Sequence, residues 1–374
     1  MISLDGNYGE GGGALVRTAL ALSTLTGRGF VVKNIRAGRS EPGLKAQHLT
    51  AIKALKEFCG AKTNEVEIGT QELYFNPGKI KRGIFEFNIG TAGSISLLLQ
   101  AITLPALFAP GKVTFKIKGG TCGKWQASVD YVQNILYPYL QRFVEKIEMR
   151  IIKRGYYPQG GGEVVVEITP RFRLDEYGSY TALLEELLFK TAKIVLVKQG
   201  TLEQIKGIVN VSIELQEREV GERIKMAAEN MLRHHHVPVN IRVEYTKAFS
   251  VGGEILLWGI GSNEGKVDYD NPILLGGDAL IEKGKSSEEI GKEAAEELEQ
   301  EIKSRAAVDY HLLDQLVLYM SLLPGSSIKG SKVSNHTLTN IYVVEKFLPV
   351  GFMVEGSNIS VREKIKNPPK GPLL

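Results

Sequence analysis

His336 lies in the string S-N-H-T-L-T-N, with Asn335, Thr337, Thr339 and Asn340 as its polar neighbours. Such neighbours can fix the tautomer of the ring and leave its other nitrogen free as base, ligand or nucleophile. The residues that follow, up to Leu348, are rich in β-branched and aromatic types. That pattern predicts a strand, with His336 just before its start. The same string also fits a surface loop with a solvated histidine.

Other charged and polar residues stand where a glycine turn or a helix start would present them. D-G-N-Y-G-E-G-G-G, from Asp5, precedes an apolar run that Gly27 can close as a helix. A glycine turn opening a helix is a generic anion site. Glu10 sits inside that turn and Arg17 follows about two helical turns later, near the same face. A carboxylate in a phosphate cradle makes sense if it holds a divalent cation; a flexible turn with a surface ion pair is the alternative. Arg36 and Arg39 precede a second helix, predicted to open near Pro42, with Lys45 and Gln47 in its first turns. Two guanidiniums at a helix N-terminus favour a polyanion, although solvated charges on a turn would look the same. Gln100 interrupts an otherwise apolar helix and needs a partner, either backbone or a ligand. His311, Asp314 and Gln315 fall in the first half of a buried helix, and His311 and Asp314 share a face. Trp125, in a glycine-rich loop, is either a base-stacking group or a loop anchor. His234, His235 and His236 close a helix; adjacent residues do not share one helix face, which argues against a metal site there.

The elements that must position these residues recur. From Ile2 to Phe75 the order is β-α-β-α-β-β, the last two strands predicted as a hairpin of Val66–Ile68 with Glu72–Phe75. From Ile84 the order repeats: a strand to Ile89, a buried helix, a strand over Lys112–Lys118, a helix over Val129–Phe143 kinked or ended near Pro138, and a hairpin of Ile147–Lys153 with Glu163–Ile168. A change of texture after Leu184 marks a small α/β module that runs to about Leu275. The remaining helices, Ser287 to about Ser304 and the one carrying His311, lead to the His336 stretch and complete a third, interrupted unit. The expected class is α+β, with a body of residues 1–183 and 276–374 and an insert of residues 184–275.

Composition is compatible with this. The chain has 374 residues, 43% hydrophobic and 24% charged, which is ordinary for a globular protein too long for one core. Two cysteines, Cys59 and Cys122, exclude a disulfide framework and a cysteine metal cluster. No run is long enough for a transmembrane helix, and the first residues lack the pattern of a signal peptide, so a cytoplasmic protein is expected. The net charge of +4 permits an anionic substrate without demanding a nucleic acid.

Taken in order, the strings D-G-N-Y-G-E-G-G-G-A-L-V-R, R-A-G-R-S-E-P-G-L-K-A-Q-H-L, T-A-G-S-I-S-L-L-L-Q, G-G-T, Y-Y-P-Q-G-G-G, H-L-L-D-Q-L and N-H-T-L-T-N-I-Y-V-V-E-K-F-L resemble the RNA 3′-terminal phosphate cyclase family. The resemblance spans nearly the whole chain. It implies three βαβαββ repeats like the C-terminal domain of a bacterial translation initiation factor, plus a small thioredoxin-like insert. It implies conversion of an RNA 3′-phosphate to a 2′,3′-cyclic phosphate with ATP and a divalent cation, Mg or Mn. His336 matches the family's nucleophile, whose Nε2 takes AMP from ATP and passes it to the RNA 3′-phosphate. Glu10 would hold the cation, and Arg17, Arg36 and Arg39 would neutralise phosphate. Gln47, Gln100, His311, Asp314 and Gln315 match positions at the nucleotide. Two departures touch adenine stacking, and with it the choice of ATP over GTP: His311 stands where the family often has a tyrosine, and Ala127–Ser128 lie where prolines are common. Two rivals remain. A cyclase-like branch of the family acts in ribosome assembly without the histidine. A carboxyvinyl-transfer enzyme uses similar repeats but would leave His336 without a covalent role. A homodimer is left open.

Overall fold

The protein is described by a computed structural model covering residues 1–90 and 92–364. Thr91, which opens the T-A-G-S-I string, lies outside the described residues. The first unit comprises β1 (Ile2–Asp5), α1 (Gly13–Thr26), β2 (Phe30–Lys33), α2 (Ala46–Cys59), β3 (Lys62–Thr63) and β4 (Leu73–Asn76). The second comprises β5 (Gly83–Asn88), α3 (Ile95–Ala106), β6 (Val113–Gly119), α4 (Val129–Tyr131), α5 (Tyr137–Leu140), β7 (Val144–Lys153) and β8 (Gly162–Pro170). After α6 (Tyr180–Lys190) and β9 (Val195–Leu196) come β10 (Thr201–Ser212), α7 (Val220–Leu232), β11 (Val239–Thr246), β12 (Gly253–Ser262), β13 (Ile273–Leu280) and α8 (Ser287–Lys303). The chain closes with α9 (Tyr310–Met320), β14 (Ser327–Lys329), α10 (Asn335–Phe347), β15 (Val350–Glu355) and β16 (Asn358–Glu363).

Three of the sheets share one order of pairing: β1-β2-β4-β3, β5-β6-β8-β7 and β9-β14-β16-β15. In each, the first two strands are parallel and the last two form an antiparallel hairpin whose second strand pairs with the inner one. The parallel step needs a crossover, and α1, α3 and α9 lie on those crossovers. The fourth sheet, β11-β10-β12-β13, has its own apolar core, including Ile205, Ile255, Ile290 and Leu298.

α1 forms because an unbroken apolar run lacks proline, and it ends at Gly27, which takes the left-handed conformation (φ 69°). Every residue from Ala14 to Leu25 is buried, since α1 packs against α2, α3 and α10. Truncating one such leucine, Leu20→Ala for example, removes about 2–5 kcal/mol of packing. The segment from Val129 is not one regular helix. A π-turn, Val132–Leu136, precedes Pro138, and the widened backbone there accommodates a residue that has no N–H to donate.

Several expectations are corrected. Asn335–Phe347 is a helix, not a strand. Its start is fixed by Ser334, whose Oγ accepts the Thr337 N–H at 3.1 Å, and its buried positions Val343, Val344 and Phe347 follow helical spacing. The β-branched content that suggests a strand is overridden by packing against α1 and α9. α2 begins at Ala46 rather than near Pro42, because Gly43 (φ 80°) and buried Leu44 continue the turn. β4 pairs with Lys62–Thr63, and Val66–Ile68 is loop. β9, read from sequence as part of the inserted module, pairs in parallel with β14; α8, read as lying outside it, packs on β12 and β13. Among the described residues no helix is long and apolar enough to cross a membrane.

Candidate active site

The N-terminus of α10 presents His336 in the helix's first turn. Ser334 caps that turn and donates to Asp314 Oδ1 at 2.6 Å, and Thr337 Oγ1 donates to the same oxygen. Asn340 donates to the Asp314 carbonyl (2.7 Å) and accepts from Thr18 on α1 (2.7 Å). These bonds join three helices, so the histidine's helix is held in both position and rotation.

The glycine turn before α1 closes over the ring. Gly9 adopts φ 64°, and a Cβ there would come within 2.5 Å of Thr339 Oγ1, so the backbone can press onto α10 only with glycine at that position. Glu10 then reaches His336, its Oε2 2.6 Å from Nδ1. Its Oε1 pairs with Arg39, which also donates to the Glu10 carbonyl at 3.0 Å. Burial pulls the Glu10 carboxyl upward, but His336, Arg39 and Arg17 outweigh it and hold the group below its usual range. The Glu10 contact in turn raises the His336 pKa above its ordinary value, against the opposing effect of burial. With Nδ1 engaged by a carboxylate, the lone pair of the neutral ring sits on Nε2.

A cavity of about 280 Å³ opens beside the ring, lined among others by Arg17, Gln100, His311, Asp314, Gln315 and His336. Arg17 is buried, and its Nε donates to Gln100 Oε1 at 2.9 Å. Burial lowers its pKa to about 10, opposed by Glu10, so the guanidinium keeps its charge at neutral pH. A buried cation at a helix-rich wall is suited to an anion. One side of the cavity carries His311, whose ring lies tilted by 35° against Tyr310 with centroids 3.9 Å apart; Trp125, 95% exposed, and Ala127 also line it.

The residues singled out from sequence divide into three sets. Glu10, Arg17, Arg39, Gln100, Asp314 and His336 form one connected cluster, and His311 and Gln315 line the cavity. Arg36 and Gln47 do neither. Arg36 takes a positive φ (56°) and donates to the Glu41 carbonyl at 3.4 Å, and Gln47 is half-buried in the first turn of α2. Sequence reasoning missed His48, which is fully buried, accepts the Lys45 N–H at Nδ1 (2.9 Å) and abuts Gly13 and Arg17. Its signal was a histidine at the third position of a helix that lacks any Ser, Thr, Asp or Asn cap. The direct Glu10–His336 contact carried no sequence signal, since the two lie at opposite ends of the chain. Glu10 Oε2 faces only His336 Nδ1, at 2.6 Å, and a carboxylate oxygen so engaged keeps a second lone pair of the kind a divalent cation takes.

Fold and site together define an α+β protein with a cavity bordered by His336 and the buried Arg17. A family model described as RNA 3′-terminal phosphate cyclase matches residues 8–354. Among the relatives, the RNA 3′-terminal phosphate cyclase of Methanopyrus kandleri is 39% identical over 362 residues, covering 95% of this chain and 96% of that protein. Those of Pyrococcus furiosus and Archaeoglobus fulgidus are 38% and 36% identical, covering 96% and 100% of their lengths. The chain belongs to the RNA 3′-terminal phosphate cyclase family.

Proposed function

We propose that the protein uses ATP to convert an RNA 3′-terminal phosphate into a 2′,3′-cyclic phosphate, with AMP carried transiently on His336. The observation that carries this is the Glu10–His336 contact at 2.6 Å beside the cavity lined by Arg17. It leaves Nε2 as the nucleophilic atom. Nε2 forms a bond to the α-phosphorus of ATP, the bond to the bridging oxygen breaks, and pyrophosphate leaves with the electron pair. An oxygen of the RNA 3′-phosphate then attacks the same phosphorus, and the N–P electron pair returns to the ring. Finally the ribose O2′ attacks the activated 3′-phosphorus, its proton is lost, and AMP departs. Covalent catalysis helps because AMP is a far better leaving group than a phosphate oxygen. Arg17 stabilises charge that grows on the phosphate oxygens, and the N-terminus of α10 adds its dipole. A divalent cation supplies charge neutralisation on the triphosphate; Glu10 fits as its ligand through Oε2. His311 and Gln315 would face the nucleotide, and Arg39 would position Glu10.

The reading of the chain as three copies of one unit is supported by the shared strand order of three sheets. The inserted module is then best drawn from about residue 198 to 305, between β9 and α9. Its order, β11-β10-β12-β13 with α7 and α8, supports the thioredoxin-like reading. A non-catalytic ribosome-assembly role is disfavoured because His336 and its partner Glu10 are both present.

The test is intact-protein mass spectrometry after incubation with ATP. Wild type should gain the mass of AMP, and His336→Ala should not. The adduct should be labile to acid and stable to alkali, as a phosphoramidate is. An undiminished adduct in the variant would end the proposal.

A further inference from the structure

The end of α7 carries a cluster that the proposed chemistry does not use. After Leu232 the chain tightens into a 3₁₀ turn, Arg233–His235. The turn lets neighbouring side chains converge even though they share no α-helical face, and the His234 and His235 rings lie 4.2 Å apart. Both reach Glu299 on α8. His234 Nε2 is 3.0 Å, and His235 Nε2 3.5 Å, from Glu299 Oε1. The three candidate ligand atoms lie within 4.8 Å of one another. A tetrahedral ion with bonds of ~2.0–2.1 Å holds its ligand atoms about 3.3 Å apart, and the two measured distances bracket that value.

The hydrogen bonds around the cluster leave lone pairs facing inward. His234 Nδ1 is 2.9 Å from the Met231 carbonyl oxygen, which can only accept, so Nδ1 carries the proton. In the neutral ring Nε2 is therefore an acceptor, and it faces a carboxylate oxygen, also an acceptor. Two acceptors at that distance need either a second proton on the ring or a metal cation between them. His235 Nε2 and Glu299 Oε1 are both buried without a hydrogen-bond partner, and the Glu299 side chain is only 6% exposed. Lys303 occupies Oε2 at 2.5 Å, which leaves Oε1 directed at the imidazoles. A carbonyl behind one ring is the arrangement that commonly orients a metal-binding histidine.

We propose that His234, His235 and Glu299 bind one divalent transition ion of the Zn²⁺ type, which clips the end of α7 to α8. Two imidazoles and one carboxylate suit such an ion, and water on the exposed His234 side completes the tetrahedron. His236, at φ 55°, ends the turn and takes no part. None of the three ligands belongs to the cluster around His336, so the site is structural to the module.

The experiment uses the full chain, purified free of metal and titrated with Co²⁺ and with Zn²⁺. Wild type should take up one more equivalent of Co²⁺ than the double variant His234→Ala/His235→Ala, with visible ligand-field absorption that the variant lacks. Zn²⁺ should raise the melting temperature of wild type more than that of the variant. Glu299→Gln keeps the size and polarity of the side chain, and should weaken Zn²⁺ binding at this site by about tenfold or more while the protein stays folded. Equal stoichiometry and equal affinity in wild type and Glu299→Gln would overturn the proposal, because the facing groups would then be satisfied by a proton alone.

Discussion

At the residue scale, the site brings unlike charges together at the edge of the cavity, with one cation buried behind them. Glu10 lies against His336 and Arg39, and Arg17 sits buried behind them. Such packing leaves no space for extra atoms, and Gly13 is the sharpest case. A Cβ at Gly13 would stand 2.1 Å from His48 Nε2 and 2.9 Å from an Arg17 nitrogen. Alanine is the better helix former by about 1 kcal/mol, so propensity alone would make Gly13→Ala stabilising. The clash acts the other way and costs about 1–3 kcal/mol or more, because a fully buried ring cannot step aside freely. The variant should therefore have a lower urea midpoint and weaker ATP binding than wild type. A variant at least as stable, with unchanged binding, would show that His48 yields and that the contact is not constraining. Glu10, Arg17, Gln100 and His336 were legible in the sequence because charged or amide groups in glycine turns and apolar helices demand partners. Which partner each one takes was not legible. The Glu10–His336 pair depends on tertiary closure of the chain's two ends, and Arg36, chemically like Arg39, turns back to Glu41.

At the element scale, two helix starts decide the geometry. For α10, Ser334→Ala removes the cap on Thr337 and one donor to Asp314. The expected loss is about 1 kcal/mol of stability in urea unfolding, together with slower formation of the AMP adduct, because the first turn that aims His336 would fray. Unchanged stability and rate would mean that Thr337 and Asp314 suffice. For α2, His48 takes the place of a conventional capping partner. Burial first, then Arg17, Arg36 and Lys45, push its pKa down to about 3. The folded protein thus keeps His48 neutral where the unfolded chain, near 6.5, takes up a proton. Stability from this group is full above pH 6.5 and falls as pH drops toward 3. Between pH 7 and pH 5 wild type should lose at most about 2 kcal/mol more than His48→Gln. Parallel pH dependences in the two proteins would remove His48 as the cause. The same two helices show where pattern reading fails. The β-branched run after His336 has the local preference of a strand, which packing against α1 and α9 overrides. Pro42 predicts a helix start, yet the chain needs the intervening turn to bury Leu44 and to place Arg39 over Glu10.

At the scale of the whole molecule, the question is whether the fourth sheet is needed for the first chemical step. Glu10, Arg17, Gln100, Asp314 and His336 all lie outside it. The chain leaves and re-enters the body at nearly one point, since Gln199 Nε2 donates to the carbonyls of Ala306 (2.9 Å) and Glu301 (3.2 Å). A short Gly/Ser linker can therefore replace residues 200–305 without straining either end. The module is nonetheless well docked. Tyr156 donates to Asn210 (2.9 Å), Tyr139 to the Pro272 carbonyl (2.5 Å), and Asp309, the cap of α9, accepts the Gly276 N–H (2.8 Å). Arg154 pairs with Asp130 in the body and with Glu244 in the module (2.9 Å). Deletion would uncover these groups to water rather than leave them buried and unpaired, so each should cost no more than about 0.5–1.5 kcal/mol, the net worth of an ordinary hydrogen bond. Asp309 would keep its bonds from Tyr131 (2.6 Å) and the Leu312 N–H (2.8 Å), so α9 should still present His311 and Asp314. The expected outcome is a protein with a lower melting temperature that still gains the mass of AMP from ATP, even if RNA cyclisation falls. A deletion protein that melts cooperatively, with native circular dichroism, yet forms no adduct would place the module within the nucleotide chemistry. The division into a catalytic body and a docked accessory unit would then have to be abandoned.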